Sequence, residues 1–212
     1  MPLPIKILLA GLTSYLIGSI PTAFIIGKFA KGIDIRRFGS GNIGATNAFR
    51  VLGKGLGIMV LVIDILKGVL ATALVSTLFG LEEPMAYVGL GIIAVAGHNW
   101  TVFLQFKGGK GIATSLGVLI GLTIKIVEIR PVLISSVLSW LAVFLLTGFV
   151  SLASIAASTL LPLYMLLFGE SFEFVLMGVV FCVFVVVRHR SNIKRLLAGE
   201  ERRVKFSFQK NK

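Results

Sequence analysis

The residues best suited to chemistry lie in three polar segments, the first of which covers residues 39–50 (GSGNIGATNAFR). Its glycines allow backbone N–H groups to converge on an anion, and Arg50 can present a bidentate fork to phosphate. Neutral hydrogen-bonding side chains lie between them, namely Ser40, Asn42, Thr46 and Asn47. The segment predicts a phosphate-binding loop, the alternative being an ordinary glycine-rich turn.

The second segment covers residues 107–114 (KGGKGIAT) and leads directly into an apolar run. A glycine-rich turn that leads into a helix N-terminus is a natural phosphate seat, because the first N–H groups of a helix lack intrahelical partners. It is not a nucleotide P-loop, since Gly111 stands where that motif requires Ser or Thr after the lysine. The segment predicts a second anion site.

The third segment covers residues 188–196 (RHRSNIKRL), after the last apolar run. In a helix, His189 and Asn192 are i, i+3 neighbours, so both side chains can face one site. His189 is the only side chain of the three segments that titrates near neutral pH. The alternative interpretation is a basic cluster that binds anionic lipid headgroups.

Metal and cofactor chemistry is not expected. The three segments contain no carboxylate cluster of the kind that holds two metal ions. Cys182 is the only cysteine, which excludes an intrachain disulfide and a cysteine-based metal cluster. His98 lies inside an apolar run and is interpreted as a structural histidine.

The composition excludes a soluble protein. Of the 212 residues, 56% are hydrophobic and 14% are charged, with a mean hydropathy of +0.97, whereas ordinary domains have about 25% charged residues. A spanning helix needs about 20 apolar residues. We therefore predict an all-α polytopic transmembrane bundle that forms a single domain over residues 1–212. Seven spans are predicted: 5–27, 56–80, 85–106, 112–129, 132–148, 151–168 and 172–187.

The basic residues are distributed unequally across these spans. With seven crossings, 17 of the 21 Lys and Arg residues fall on one side and three on the other. By the positive-inside rule, the larger group is cytoplasmic. This places the N-terminus outside and puts the C-terminus and the three polar segments on the cytoplasmic side of a bacterial inner membrane. The same distribution favours lipids and small anions as partners over nucleic acid.

Asp64 and Lys67 lie within the second predicted span at i, i+3 spacing, where their side chains can pair. An intramembrane ionisable residue suggests function by default. A structural pair turned towards the bundle interior is the interpretation we favour.

The three segments together resemble the bacterial acyl-phosphate:glycerol-3-phosphate acyltransferases. The resemblance covers nearly the whole chain, through residues 39–50, 97–114 and 188–201, and extends to residues 148–154. Thr101 departs from the family, which usually has proline there. The resemblance implies transfer of a fatty acyl group from acyl-phosphate to the 1-hydroxyl of glycerol 3-phosphate, giving lysophosphatidate and phosphate without a cofactor. An upstream acyl-phosphate-forming enzyme is a further implied partner.

The resemblance also implies roles for individual residues. His189, steered by Asn192, is the candidate base for the acceptor hydroxyl, although a phosphate oxygen of the substrate is the alternative proton acceptor. Ser40 and Arg50 join them as catalytic residues, and Glu201 ties down the tail through a basic partner. Recognition of the two substrates is assigned to Gly41, Asn42, Gly44, Thr46, Asn47, Lys107, Gly108, Gly109, Lys110, Ser151 and Arg190.

Two other functions use the same basic pocket. A transporter for an organic phosphate would need a polar path across the membrane and usually internal repeats, and no convincing repeat is visible. A lipid-binding scaffold would bind anionic lipid without turnover.

Overall fold

A computed structural model describes residues 1–204, and this part of the chain consists of helices and short connections. The helices are α1 (Leu3–Ser19), α2 (Thr22–Lys31), α3 (Ala45–Val51), α4 (Lys54–Val69), α5 (Val75–Phe79), α6 (Pro84–Asn99), α7 (Ile112–Lys125), α8 (Arg130–Thr147), α9 (Val150–Leu167), α10 (Phe172–Arg188) and α11 (Arg190–Leu197). A π-helical turn (Leu70–Leu74) joins α4 to α5. The prediction of an all-helical membrane protein is confirmed.

Four helical stretches of the described chain are long and apolar enough to cross a bilayer, and two bent helix pairs raise this number to six. The bent pairs are α1 with α2 and α10 with α11. Helix α7 is apolar but has only 14 residues. Each of the seven predicted segments is therefore mainly helical, while the number of complete crossings stays a prediction.

The chain divides into two compact units, Met1–Ile129 and the part that begins at Arg130. In the first unit, α1 packs against α6 and α4 packs against α7. Glycines allow these backbones to touch: a Cβ atom at Gly18 would collide with the carbonyl of Ala94, and one at Gly117 with the carbonyl of Ile65. Small residues at helix contacts are typical of membrane bundles, where packing replaces the hydrophobic effect between helices.

In the second unit, α9 packs between α8 and α10. Gly178 of α10 faces Pro162 of α9, where an added Cβ would lie 3.1 Å from Pro162 Cα. The chain then bends by 63° between α10 and α11. His189 occupies this corner with φ −98° and ψ 6°, outside regular helical geometry.

Large apolar side chains remain exposed on the outer helix faces, among them Leu8, Leu78 and Leu146. In water such a surface would be an aggregation hazard. In a bilayer it is matched by lipid chains that are equally apolar. The three polar segments lie at helix ends and in the short helices and connections between them.

Candidate active site

Asn47 organises the first polar segment from its interior. Only 1% of this residue is exposed. Its Nδ2 donates to the carbonyls of Phe38 (3.1 Å) and Asn42 (2.9 Å), and its Oδ1 accepts from the Ser40 N–H (2.8 Å). The sequence assigned Asn47 to substrate binding. That assignment stays a prediction, and both ends of the amide are engaged inside the loop, where they hold its shape.

The backbone of the same loop is also used internally. The Gly41 N–H donates to the Phe38 carbonyl (3.0 Å), and the Gly44 N–H donates to Asn42 Oδ1 (2.9 Å). These two N–H groups were expected to converge on an anion, and in this structure they close turns. The exposed polar side chains that the loop presents are those of Ser40, Thr46 and Arg50.

An ion pair shapes the turn before this loop. The Arg36 guanidinium donates to both carboxylate oxygens of Asp34, with Nη2 to Oδ2 at 2.7 Å and Nε to Oδ1 at 3.0 Å. These hydrogen bonds lower the pKa of Asp34 to about 2. The carboxylate therefore stays ionised and offsets the charge of Arg36, one of the cations that precede Ser40.

The glycines of the second segment pair with the end of α6. The Gly108 N–H donates to the Asn99 carbonyl (3.1 Å), and the Gly109 N–H donates to the His98 carbonyl (2.9 Å). A Cβ atom at Gly109 would collide with His98 Nε2. The sequence assigned both glycines to the substrate anion. Their N–H groups are directed at α6, and the close packing there requires glycine. Their assignment to the substrate anion stays a prediction.

The positively charged features of this segment are the two lysines and the start of α7. Gly111 has φ +81°, and the first intrahelical bond runs from the Ser115 N–H to its carbonyl (2.7 Å). The N–H groups of the first turn lack intrahelical partners and carry the positive end of the helix dipole. Lys107 is exposed and Lys110 half-buried beside this turn in the sequence.

Thr101, at the position where proline is expected, lies in the turn that leads to Lys107 and Lys110. Its Oγ1 donates to the Ser19 carbonyl and accepts from the Phe103 N–H (3.3 Å). Its φ of −70° is the value that proline itself takes. Gln105 and Phe106 then adopt left-handed φ values of 52° and 60°, which turn the chain sharply before Lys107.

An apolar cluster joins the first two segments within the first unit. It includes Ile43 and Ala48 from the first segment and Leu104 from the turn before the second. Ile35 and Val60 belong to the same cluster. The structure therefore brings the first segment and the turn before the second onto one apolar core.

Asp64 and Lys67 form a buried ion pair in α4, with Lys67 Nζ 2.9 Å from Asp64 Oδ1. Thr22 Oγ1 donates to the same carboxylate oxygen (3.0 Å). His98 Nδ1 lies 3.8 Å from it. The pair thus contacts the histidine whose carbonyl holds Gly109.

In the second unit, the His189 ring is oriented by a backbone carbonyl. His189 is 3% exposed, and its Nδ1 lies 2.8 Å from the carbonyl oxygen of Val185. A carbonyl oxygen only accepts hydrogen bonds, so Nδ1 carries the proton in the neutral ring and the lone pair is on Nε2. This tautomer is the one that a general base acting through Nε2 requires.

Glu201 gathers three side chains around one carboxylate. Oε1 accepts from Asn192 Nδ2 (2.6 Å) and from Ser151 Oγ (2.8 Å), and Oε2 accepts from Arg195 Nε (2.7 Å). Burial opposes ionisation of this carboxyl, but the three hydrogen bonds outweigh burial and lower the pKa of Glu201. The basic partner is Arg195.

Two roles inferred from sequence stay predictions. Asn192 was expected to steer His189; the Val185 carbonyl lies against that ring, and the Asn192 amide donates to Glu201. Ser151 was expected to bind substrate; its side chain is buried, and its hydroxyl donates to Glu201. Arg190 is exposed at the start of α11, where its side chain is accessible to an anion in solution.

Within residues 1–204, no three His, Cys, Asp or Glu side chains lie close enough together to form a metal site. The polar groups described above are donors that suit anions, the imidazoles of His98 and His189, and three carboxylates, Asp34, Asp64 and Glu201, each of which is already bonded within the protein. This set suits the binding of phosphates and the movement of a proton.

Comparison with known proteins agrees with this chemistry. The sequence model of the family described as glycerol-3-phosphate acyltransferase matches residues 8–199. A glycerol-3-phosphate acyltransferase of Desulforudis audaxviator is 48% identical over 205 residues, which cover 96% of this chain and 97% of the relative. Glycerol-3-phosphate acyltransferase 2 of Moorella thermoacetica is 44% identical, with 93% and 97% covered.

Solved structures are similar over the same length. The crystal structure of PlsY (YgiH), an integral membrane glycerol 3-phosphate acyltransferase, in its glycerol 3-phosphate form has a TM-score of 0.84 and 40% identity. It matches over 94% of this chain and 96% of that chain. The lysophosphatidic acid form has a TM-score of 0.82 and 39% identity, with 94% and 95% covered.

Proposed function

The chain belongs to the PlsY-type glycerol-3-phosphate acyltransferase family, and on that premise we propose that it acylates glycerol 3-phosphate with an acyl-phosphate as donor. The 1-hydroxyl oxygen attacks the acyl carbon, an ester bond forms, and the bond from that carbon to the phosphate oxygen breaks. Lysophosphatidate and inorganic phosphate are the products. The mixed anhydride already has a good leaving group, so no covalent enzyme intermediate is required.

His189 is proposed to take the proton that the attacking hydroxyl loses. The observation that carries this role is the 2.8 Å contact between His189 Nδ1 and the Val185 carbonyl. It fixes the tautomer whose Nε2 lone pair can accept a proton, a contribution worth typically about 10²–10⁴-fold in rate. The alternative acceptor is a phosphate oxygen of the substrate, in which case His189 would only position the reactants.

The phosphate groups are proposed to be held by side chains and by one helix end. Arg50, with Ser40 and Thr46, recognises the acyl-phosphate, and the guanidinium offers two parallel hydrogen bonds. Lys107 and Lys110, with the start of α7, hold glycerol 3-phosphate. Asn47, Gly108 and Gly109 act by keeping these loops in shape.

We further propose the membrane arrangement. Seven spans place the N-terminus outside and the C-terminus in the cytoplasm of a bacterium, with the polar segments at the cytoplasmic face of the inner membrane. Residues 1–212 act as one functional domain among membrane lipids, supplied by an enzyme that forms acyl-phosphate. The excess of basic residues in the proposed cytoplasmic segments supports this orientation.

A donor comparison tests the proposed reaction. The purified protein is incubated with radiolabelled glycerol 3-phosphate and either acyl-phosphate or acyl-coenzyme A, and lysophosphatidate is separated and counted. We expect product with acyl-phosphate alone. Equal or faster product formation from acyl-coenzyme A would contradict the proposed donor.

A transport function is tested with the same labelled substrate. In sealed proteoliposomes without donor, we expect no uptake of glycerol 3-phosphate above that of protein-free vesicles. Uptake that saturates with substrate, without any lysophosphatidate, would favour a transporter.

A further inference from the structure

The ion pair in α4 is enclosed by apolar helices, although each charge is expensive to bury. Asp64 is 1% exposed and Lys67 is 3% exposed. A charged side chain in the middle of a membrane helix costs at least about 2.5 kcal/mol on insertion scales. An apolar pair of similar volume often packs as well or better. The contacts of the two charges therefore suggest a role beyond packing.

One set of contacts bridges the break between α1 and α2, the first bent helix pair. Lys67 Nζ donates to the Ile20 carbonyl (3.0 Å), at the junction between α1 and α2. Thr22, the first residue of α2, donates to Asp64 Oδ1 (3.0 Å). The two helices differ in direction by 41°. Backbone groups freed by such a break need partners inside a membrane, and the ion pair supplies one.

A second set of contacts leads to the glycines of the second polar segment. His98 Nδ1 lies 3.8 Å from Asp64 Oδ1, and His98 Nε2 lies where a Cβ atom of residue 109 would be placed. The His98 carbonyl accepts the Gly109 N–H (2.9 Å). The imidazole is thus enclosed between the ion pair and Gly109. A shift of the ring would displace the backbone between Lys107 and Lys110.

We propose that Asp64, Lys67 and His98 are positioning residues for the acceptor anion. The ion pair holds the His98 ring in place, and the ring in turn fixes the position and direction of the backbone at Gly109. Lys107 and Lys110, on either side, are thereby directed at glycerol 3-phosphate. This inference rests on the proposed assignment of residues 107–110 to that substrate. It predicts that removing the pair weakens acceptor binding and leaves the donor site intact.

The variant that tests the inference is Asp64→Asn combined with Lys67→Met. Removal of one charge alone would leave the other buried without a partner and would destabilise the protein. Removal of both charges in the double variant keeps the side-chain volume and leaves no buried charge without a partner. We expect a folded protein whose KM for glycerol 3-phosphate rises at least about tenfold, while the KM for the acyl donor stays within about twofold.

A second ion pair of the same unit, more exposed than the first, provides the matched control. Lys125 Nζ lies 3.1 Å from Glu82 Oε2, and the side chains of Lys125 and Glu82 are 16% and 54% exposed. The double variant Glu82→Gln with Lys125→Met also removes two opposite charges, and Lys125 is at the opposite end of α7 from the second polar segment. Both KM values are expected to stay at the wild-type level.

His98→Gln serves as the second variant, because the charge-free double variant could fail to fold. It keeps a hydrogen-bonding side chain but removes the ring that packs on Gly109. The expected result is the same selective rise in the acceptor KM. A wild-type acceptor KM in folded Asp64→Asn/Lys67→Met overturns the inference, and so does a wild-type value in folded His98→Gln if the double variant does not fold.

Lys110→Gln separates this inference from the proposed function. If it leaves the acceptor KM unchanged, the segment does not bind glycerol 3-phosphate and the proposed assignment itself is wrong. If it raises the acceptor KM about tenfold and the charge-free double variant does not, only the positioning role fails.

Discussion

Asn192 Nδ2 donates to Glu201 Oε1 across 2.6 Å, so an amide from the third polar segment is bound by a carboxylate nine residues later. Ser151 and Arg195 bind the same carboxylate. Glu201 therefore fixes the end of α11 relative to α9. The orientation of the segment that carries His189 depends on a residue with no expected contact to substrate.

Substitution of Glu201 is expected to reduce stability. Glu201→Gln removes the charge and replaces one acceptor oxygen by a donor, and hydrogen bonds to charged groups contribute about 1.5–3 kcal/mol each. A thermal unfolding midpoint several degrees lower is expected in detergent. Glu200→Gln is the control, because Glu200 is exposed. Equal midpoints for the two variants would show that the Glu201 contacts do not stabilise the fold.

The same carboxylate predicts a pH dependence of stability. Its pKa is lower in the folded protein than the ordinary glutamate value of about 4.3. Its contribution is therefore complete above that ordinary value and is lost as the pH falls through the lowered folded pKa. Between pH 6 and pH 3, the difference in midpoint between wild type and Glu201→Gln should shrink. A difference that grows on acidification would contradict the shift.

Arg50 is expected to depend on its fork and not only on its charge. Arg50→Lys keeps the charge but loses the planar pair of donors. We expect kcat/KM for the acyl-phosphate to fall about 10- to 100-fold, or about 1.4–2.7 kcal/mol of transition-state stabilisation. Arg37→Lys, at an exposed position in the turn before the first segment, is the control. Near-normal activity of Arg50→Lys would exclude bidentate recognition.

Gly109 is expected to tolerate no side chain. In Gly109→Ala the new methyl group would collide with His98 Nε2, and overpacking typically costs about 1–3 kcal/mol. Reduced thermal stability and a raised KM for glycerol 3-phosphate are expected. Gly89→Ala is the control, since nothing lies within 4 Å of a Cβ atom there. If both variants behave like wild type, the close packing of the second segment is incorrect.

The sequence alone was sufficient for the helical membrane class and for the three polar segments. Apolar runs separated by glycine and basic residues predict both, because spanning helices must satisfy their own backbone and polar chemistry is confined to their ends. The i, i+3 spacing of Asp64 and Lys67 likewise predicted that their side chains can pair, and the structure contains this ion pair.

The sequence could not show which partner each polar group binds through its hydrogen bonds. Asn47, Gly108 and Gly109 have the residue types of an anion site, yet their amides bond neighbouring backbone groups. Nor does composition indicate that the Val185 carbonyl orients His189. The Gly108 and Gly109 contacts depend on the turn that brings the second segment back to α6. The contacts of Asn47 and His189 are local, and they depend on backbone angles and side-chain rotamers that residue type alone does not specify.

The most direct test concerns the proton acceptor. His189→Asn removes the basic nitrogen but keeps an amide that can donate towards the Val185 carbonyl, and His189→Ala removes both. Steady-state kinetics with acyl-phosphate and labelled glycerol 3-phosphate give kcat and the acceptor KM for each variant. If His189 Nε2 accepts the proton, kcat falls at least about 100-fold in both variants with the acceptor KM nearly unchanged. A kcat near wild type with a raised acceptor KM would show that a substrate oxygen takes the proton and would contradict the proposed mechanism.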